Sequence, residues 1–306
     1  MRFAPRRPVG LLAVVLTLFP PAAVRVAAQA GIDTVQIRTL PAGKGVYMLM
    51  GQGGNIALSV GKDAAFLVDD QFAPLSEKIL AAVKAVTDRP VRFLVNTHWH
   101  GDHTGGNENL ANAGVIIVAH DNVRTRMSSE QFIAAFNSKV EPSPAKALPM
   151  VTFMDGVAFH LNDDDIHVVH VPPAHTDGDA IIHFSAGNVI HMGDTFFNGR
   201  YPFIDLSSGG SFEGVIGAVN AALPYVNDST RIIPGHGALA GRAELIAYRD
   251  VLVKIRDRVA ALIKQGKTKE QVVAAKPSAE WDAAWGTGFM KPEVFLGIVY
   301  DSMKKK

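Results

Sequence analysis

Within the segment Asn96-Thr97-His98-Trp99-His100-Gly101-Asp102-His103, four side chains able to donate a lone pair stand inside six residues. A single histidine at a strand end is ordinarily a polar loop residue. Three histidines and an aspartate at this spacing rarely arise without a metal ion. In an extended segment the side chains at i and i+2 project the same way, so His98 and His100 can grip one ion together. Gly101 permits a sharp turn that sends Asp102 and His103 toward a neighbouring position. Three later segments each place a ligand-type residue just past an apolar run: Pro172-Pro173-Ala174-His175-Thr176-Asp177-Gly178, Gly193-Asp194 and Pro234-Gly235-His236-Gly237. The chain has no Cys, so a metal here is held by imidazole, carboxylate and water alone. Such donors suit Zn2+ and also accept Fe or Mn. The other six of the eleven histidines (His120, His160, His167, His170, His183 and His191) sit in or beside β-type runs or open a helix, and are assigned to structure.

The elements that must position these residues show as apolar runs broken by turns. Strands are predicted over 46–49, 55–60 and 65–68, with a Gly-rich turn at 51–54. Apolar Ile79, Leu80, Val83 and Val86 mark a helix that Asp88-Arg89-Pro90 ends. A strand over 91–95 feeds the His-rich segment directly, and one over 115–118 leads to a helix predicted over 121–136. The stretch 140–149 holds three Pro and reads as a linker between two halves. Strands then recur over 151–154, 157–161, 166–171, 180–184, 189–192 and 231–233, with a helix over 212–223 among them. From Arg242 onward the pattern is mostly helical. Strands and helices arranged this way, twice over, predict sheets covered by helices. Loops at one end of a sheet converge in space, which lets His175, Asp194 and His236 meet the His-rich segment. No repeat at a fixed short period is present, which argues against a solenoid.

The N-terminus reads differently. Arg2, Arg6 and Arg7 precede an apolar run over 9–19, and Ala28-Gln29-Ala30 follows. A basic start, a short apolar stretch and small residues at A-x-A spacing predict a secretory signal peptide over residues 1–30, cleaved after Ala30. The run falls well short of the ~20 residues that span a bilayer. The expectation is a periplasmic or secreted protein with no membrane attachment after cleavage. Residues 31–306 are expected to form one domain, large enough to bury a core without disulfides. Losing the four arginines of residues 1–30 takes the formal charge from +1 to about −3. A mildly acidic chain is a poor partner for nucleic acid, whose sequence-independent binding needs clustered Lys and Arg.

The pattern His98-x-His100-x-Asp102-His103, followed by His175, Asp194 and His236, resembles the metallo-β-lactamase superfamily, and the resemblance covers essentially the whole mature chain. It implies an α/β fold, an αββα sandwich of two β-sheets flanked by helices, with the site at one edge of the sheets. It implies that His98, His100 and His175 hold a first Zn2+, that Asp102, His103 and His236 hold a second, and that Asp194 bridges both. Two such ions, about 3.5–4 Å apart, would share a hydroxide formed at neutral pH and direct it at a small-molecule carbonyl substrate. One metal would polarise the carbonyl oxygen and the other would steady the leaving group. Asp102 would take the catalytic role of orienting the nucleophile and relaying a proton. The resemblance also implies a supporting carboxylate at Asp69 or Asp70, and Thr176 is expected to hydrogen-bond a ligand.

Departures from the family pattern bear on the substrate. The β-lactamases most similar in outline carry Cys at the position of Asp194 and Lys three residues later; here Phe197 takes that later place and Arg200 is the nearest cation. The turn 51–54 is shorter than the apolar flap of many β-lactamases. A bridging Asp194 with His103 resembles glyoxalase II and other thioester or ester hydrolases. Export points instead to β-lactams, whose targets lie in the periplasm. The aromatic stretch Phe196-Phe197-Asn198-Gly199-Arg200-Tyr201-Pro202-Phe203 is expected to wall the pocket, with Asn198, Arg200 and Tyr201 touching substrate. Trp281, Trp285 and Phe289 are expected to pack within helices rather than bind ligand. The expectation is an exported hydrolase of β-lactam rings, the alternative an exported lactonase, esterase or thioesterase. A purely structural zinc site is disfavoured, since seven ligands around two ions leave open positions.

Overall fold

The computed structural model describes residues 31–304, so the predicted signal peptide lies outside the described residues. The described residues fall into two units, 31–34 in one and 35–304 in the other. In the first, the Thr34 hydroxyl donates to the Gly31 carbonyl at 2.9 Å. The second holds every strand among the described residues.

One sheet opens with four antiparallel strands, β1 (Arg38–Gly43), β2 (Val46–Met50), β3 (Ile56–Val60) and β4 (Ala65–Val68). Two parallel strands, β5 (Val91–Val95) and β6 (Ile116–His120), extend it beyond β4. The chain then leaves the sheet as a hairpin, β7 (Gln131–Ile133) and β8 (Ser138–Val140), and returns as β9 (Val151–Phe153), parallel to β6. A second sheet comprises β10 (Gly156–Leu161), β11 (Asp164–His170), β12 (Ala180–Phe184), β13 (Val189–His191) and β14 (Arg231–Ile233), in that order. Its strands are antiparallel except for the parallel pair β13 and β14.

The alternation of side chains along each strand sorts the core into layers. Phe66, Val68 and Val95 face inward from the first sheet and meet Ile166, Val168, Ile182 and Phe184 from the second. The Phe66 ring sits 5.0 Å from Phe159 and 6.1 Å from Phe184, both edge-on. On the other face of the second sheet, Ile181 and Ile190 pack with the helices Phe212–Ala222, Arg242–Lys264 and Pro292–Lys304. All four residues of β4 are buried, as a strand covered on both faces requires. The chain is thus two mixed sheets flanked by helices, the αββα sandwich implied by the sequence.

Three elements differ from expectation. The helix expected over 121–136 spans Asp121–Met127, because Ser128 and Ser129 turn their hydroxyls back onto its last carbonyls and end it. The following residues form the β7–β8 hairpin, with Asn137 in the left-handed region at φ +48°. The stretch 140–149 does not divide the halves: β9 follows it and still pairs with β6, so the sheets part between Phe153 and Gly156. Strand β1 was not anticipated. It contains Pro41, which an edge strand tolerates. No helix among the described residues is long and apolar enough to cross a membrane.

Because Phe66 is fully buried between the sheets, Phe66→Ala is expected to cost about 3–5 kcal/mol of unfolding free energy. Equilibrium urea denaturation checks this, and a cost under about 1 kcal/mol would show that the two sheets do not share this core.

Candidate metal centre

Strand sense brings the ligand-type residues together. β4 and β5 run parallel, as do β13 and β14, and β11 runs with β13 because both are antiparallel to β12. Their C-terminal ends release the relevant loops: Asp69 after β4, His98 to His103 after β5, His175 after β11, Asp194 after β13 and His236 after β14.

His98, His100 and His175 each bring a ring nitrogen into one group whose atoms lie within 4.8 Å of one another; Asp102, His103 and His236 form a second such group. Asp194 stands between the two. Its Oδ1 is 3.1 Å from His103 Nε2, and its Oδ2 is 3.4 Å from His236 Nε2, 3.6 Å from His175 Nε2 and 3.9 Å from His98 Nε2. All seven residues singled out in the sequence therefore converge. The other six histidines are engaged elsewhere. His120 stacks on His170, His167 faces His183 across β11 and β12, His160 pairs with Asp165, and His191 meets the Asn55 carbonyl.

Partners on the far side of four of the rings decide which nitrogen carries a free lone pair. The Asp69 carboxylate accepts from the Thr97 N–H at 2.8 Å, the Thr97 hydroxyl at 2.8 Å and His103 Nδ1 at 2.7 Å. Having given its proton to Asp69, the Thr97 hydroxyl accepts from His98 Nδ1 at 3.0 Å. His175 Nδ1 donates to the Phe203 carbonyl at 2.8 Å, and His100 Nε2 donates to Asp205 at 3.1 Å. His98 Nε2, His103 Nε2, His175 Nε2 and His100 Nδ1 consequently point at the centre, each with a lone pair when its ring is neutral.

Those lone pairs test whether a metal fits. His98 Nε2, His103 Nε2 and Asp194 Oδ1 are buried with no hydrogen-bond partner. A buried unsatisfied group costs about 1–3 kcal/mol, so three in one place imply something that pairs with all of them. His100 Nδ1 and His175 Nε2, both acceptors by the assignment above, face each other at 2.8 Å, which a cation between them would relieve. Imidazole and carboxylate donors in two groups, joined by one carboxylate, fit two transition-metal ions. Close-fitting glycines make the room. A Cβ on Gly54 would lie 2.1 Å from the His103 ring, and one on Gly235 would lie 2.0 Å from Asp194 Oδ1.

The two groups differ electrostatically. Burial, then the neighbouring His103 and His175, pushes His98 well below the ordinary histidine range, and burial takes His175 down to about 4. Burial also disfavours charge on His103 and His236, but Asp194 and Asp102 outweigh it, holding His103 well above its usual value and His236 at about 9. Asp102 is held down to about 2, against burial, by His103 and His236. Positive charge is therefore drawn most strongly to the Asp102–His103–His236 side.

Several supporting residues resolve or correct the sequence reading. Of Asp69 and Asp70, it is Asp69 that reaches the ligands; Asp70 is turned away to accept from the Gly106 N–H at 2.9 Å. Thr176 does not bond a ligand ring, because its hydroxyl donates to Asp179 at 2.6 Å. Asp179 also accepts from the His175 and Thr176 N–H groups, so it shapes the loop rather than the centre. Asp205 was missed. Burial alone would raise its pKa, but His100 and the hydroxyls of Ser207 and Ser208 hold the carboxyl well below the usual range. Its only sequence trace is Ser207 and Ser208 just after an Asp, a common turn pattern.

The centre forms the floor of a cleft of about 700 Å3. Phe72, Trp99, Phe197, Phe203, Arg200 and Tyr201 line it, as the aromatic stretch suggested for the last four. Arg200 is the only Lys or Arg among the described lining residues, and it makes no hydrogen bond or ion pair among the described residues. Tyr201 is a correction as a substrate contact: although it borders the cleft, it is buried, its ring stacks on Phe295 at 4.5 Å and its hydroxyl donates to Asp282 at 2.8 Å. Asn198 is a correction: it is not a lining residue, and its amide donates to the Ala238 carbonyl at 2.9 Å. The reason is the bridge between Phe197 and His236, which is followed by a bond from the Asn198 N–H to the His236 carbonyl and leaves Asn198 outside. Phe289 is a further correction, since it lines the cleft with Met290, whereas Trp281 and Trp285 pack against the core.

Zinc titrated into metal-depleted protein is expected to saturate near two ions per chain, and saturation at one would remove the bridging position from Asp194. Asp69→Asn puts an amide N–H against a histidine or threonine donor and is expected to weaken zinc retention about 10- to 100-fold, measured by chelator competition.

Comparison with known proteins supports the same reading. The sequence pattern of the metallo-beta-lactamase superfamily matches residues 51–246. Hydroxyacylglutathione hydrolase GloC of Haemophilus influenzae is 26% identical over 171 residues, covering 53% of this chain and 76% of its own length. Atrochrysone carboxyl ACP thioesterase of Aspergillus chevalieri is 24% identical over 239 residues, covering 76% of this chain and 67% of its own. Among solved structures, a metallo-beta-lactamase from Pontibacter korlensis aligns with TM-score 0.58 and 19% identity over 71% of this chain and 99% of its own. The sec-alkylsulfatase Pisa1 from Pseudomonas sp. aligns with TM-score 0.66 and 16% identity over 88% of this chain and 50% of its own. At these identities the structural likeness speaks for the fold alone. The matched span covers more than half of the chain and contains all seven converging residues, and this chain belongs to the metallo-beta-lactamase superfamily.

Proposed function

We propose that the chain is an exported hydrolase that holds two zinc ions and opens the amide of a β-lactam ring. The observation that carries the hydrolase reading is Asp194 set between two groups of imidazoles at the floor of an open, largely aromatic cleft. Metal bound there would supply a water of lowered pKa and an electrophile for the carbonyl oxygen. The remaining work falls to side chains. Asp102 lines the cleft with its carboxylate 3.3 Å from His236 Nε2, and stays ionised near neutral pH. A carboxylate so placed orients the attacking water, holds its proton and returns it to the leaving nitrogen. Phe197 stacks on His236 at 5.2 Å and keeps that ring in place. Arg200 offers its free guanidinium to the carboxylate of a β-lactam, partly replacing the Lys of related enzymes.

The preference for β-lactams rests on residues 1–30, whose composition is that of a signal peptide. A second reading, thioester or lactone hydrolysis, is favoured by a carboxylate rather than a thiolate at position 194 and by the two curated relatives, named as a hydroxyacylglutathione hydrolase and a thioesterase. Asp102 and the two groups would serve either substrate.

A comparison of kcat/KM over penicillins, cephalosporins, carbapenems, homoserine lactones, thioesters and simple esters is expected to show turnover of at least one β-lactam class. Turnover of lactones or thioesters alone moves the assignment to the second reading. Arg200→Ala is expected to raise KM with little change in kcat, the mark of binding lost equally from ground and transition states. A reporter fused behind residues 1–30 is expected to cross the inner membrane and be cut after Ala30; an uncut reporter left inside removes the case for β-lactams.

A further inference from the structure

We propose that the cleft selects substrates whose acyl group is bulky and apolar, and that Phe136 and Phe289 set this preference. The inference rests on the carbonyl-hydrolase reading and names its substrate class.

A chain of rings runs from the metal-ligand groups to the rim of the cleft. Phe203 stacks on His100 at 5.9 Å and meets His175 edge-on at 5.6 Å. Phe136 lies 4.7 Å from Phe203, and Phe289 lies 5.2 Å from Phe136. The last two come from distant segments, the tip of the β7–β8 hairpin and the loop before the helix Pro292–Lys304, and meet only at the cleft. Neither serves the buried core: Phe136 is 41% exposed and Phe289 is 69% exposed. Large aromatic surface left in water beside an active cleft is surface that a ligand can cover.

The wall is fixed in place. Arg126 donates to Gln131 at 3.0 Å at the foot of the hairpin, and the Ala134 N–H donates to the Ser207 hydroxyl at 3.2 Å at its tip. Ser207 in turn bonds Asp205, which holds His100. Ile133 and Val140 seat the hairpin against the Trp99 cluster. These bonds link the hairpin to the residue that holds His100, so Phe136 is positioned before substrate arrives.

The opposite rim has another character. Gln52 and Gly53 stand there beside Asp102 and bring polar groups to it, with Phe72 packed next to Gly53. A carbonyl carbon at the centre thus has the continuous chain of rings toward His100 and the charged groups of Asp102 and His236 on its other side. The acyl group fits the first and the leaving group the second.

Zinc-loaded protein is titrated calorimetrically with straight-chain carboxylates from acetate to octanoate, which carry the acyl group without a scissile bond. Affinity is expected to rise about two- to fourfold per methylene. Phe136→Ala and Phe289→Ala together are expected to cut the octanoate-to-acetate affinity ratio at least tenfold; Gln at both positions, as a second pair, should do the same. Affinity independent of chain length, no detectable octanoate binding, or a ratio unchanged in both double variants overturns the proposal. A chain-length slope without turnover of any carbonyl substrate overturns the hydrolase reading and leaves the subsite standing. Turnover with a flat slope does the reverse.

Discussion

The carboxylate of Asp69 is the interaction on which the centre depends. It is fully buried at the end of β4 and accepts three hydrogen bonds, two from Thr97 and one from His103. Through the Thr97 hydroxyl it also sets the tautomer of His98, so one carboxylate orients a ligand in each group. Asp69 reaches this position at φ +62°, a left-handed conformation that costs roughly 1–2 kcal/mol for an L-residue and persists because the surroundings over-determine it. Its N–H donates to Val95 and the next N–H, from Asp70, donates to the His103 carbonyl. The ends of β4 and β5 are thereby locked into one unit before any residue of the second sheet is considered.

The second sheet is joined to that unit by polar bonds as well as by the apolar layer between them. Asn55, just before β3, donates from its side chain to the carbonyls of Pro234 and Gly237, and its N–H donates to the Gly235 carbonyl. Its carbonyl meets His191 Nε2 at 2.9 Å. These buried bonds tie the loop that carries His236 and the strand that precedes Asp194 to the first sheet. Apolar packing tolerates small slips, whereas a satisfied buried polar network has one arrangement. The few ångströms between Asp194 and its four histidine neighbours depend on that uniqueness.

The cleft above the centre is asymmetric in charge. Asp102, His103 and His236 concentrate paired charge on the side of the short Gly-rich turn, while the neutral imidazoles His98 and His175 border the aromatic side with His100. An asymmetric site orients its substrate by what each side can solvate, and no single residue has to do so alone. The hairpin Gln131–Val140 and the loop carrying Phe289 supply much of the aromatic side.

The chemistry was legible in the sequence because it is local. Three histidines and an aspartate after one strand, with ligand-type residues after three more, mark a candidate metal centre by their spacing, and the strands that carry them follow from short apolar runs bounded by turns. The family pattern extended this to the pairing of ligands into two groups. What the sequence could not determine lies in contacts between distant segments. Asp205 is 105 residues from the His100 it holds, and nothing near it in the chain marks it as more than a turn residue. Phe136 sat within a predicted helix and Phe289 within a predicted packing element, because apolar residues on short segments read the same whether they face a core or a cleft. Asn198 read as a pocket residue by its place in the chain and was turned outward by one backbone bond to His236. Local spacing determines which atoms can bind a metal; only tertiary structure decides which carboxylate orients them and which rings stand over them.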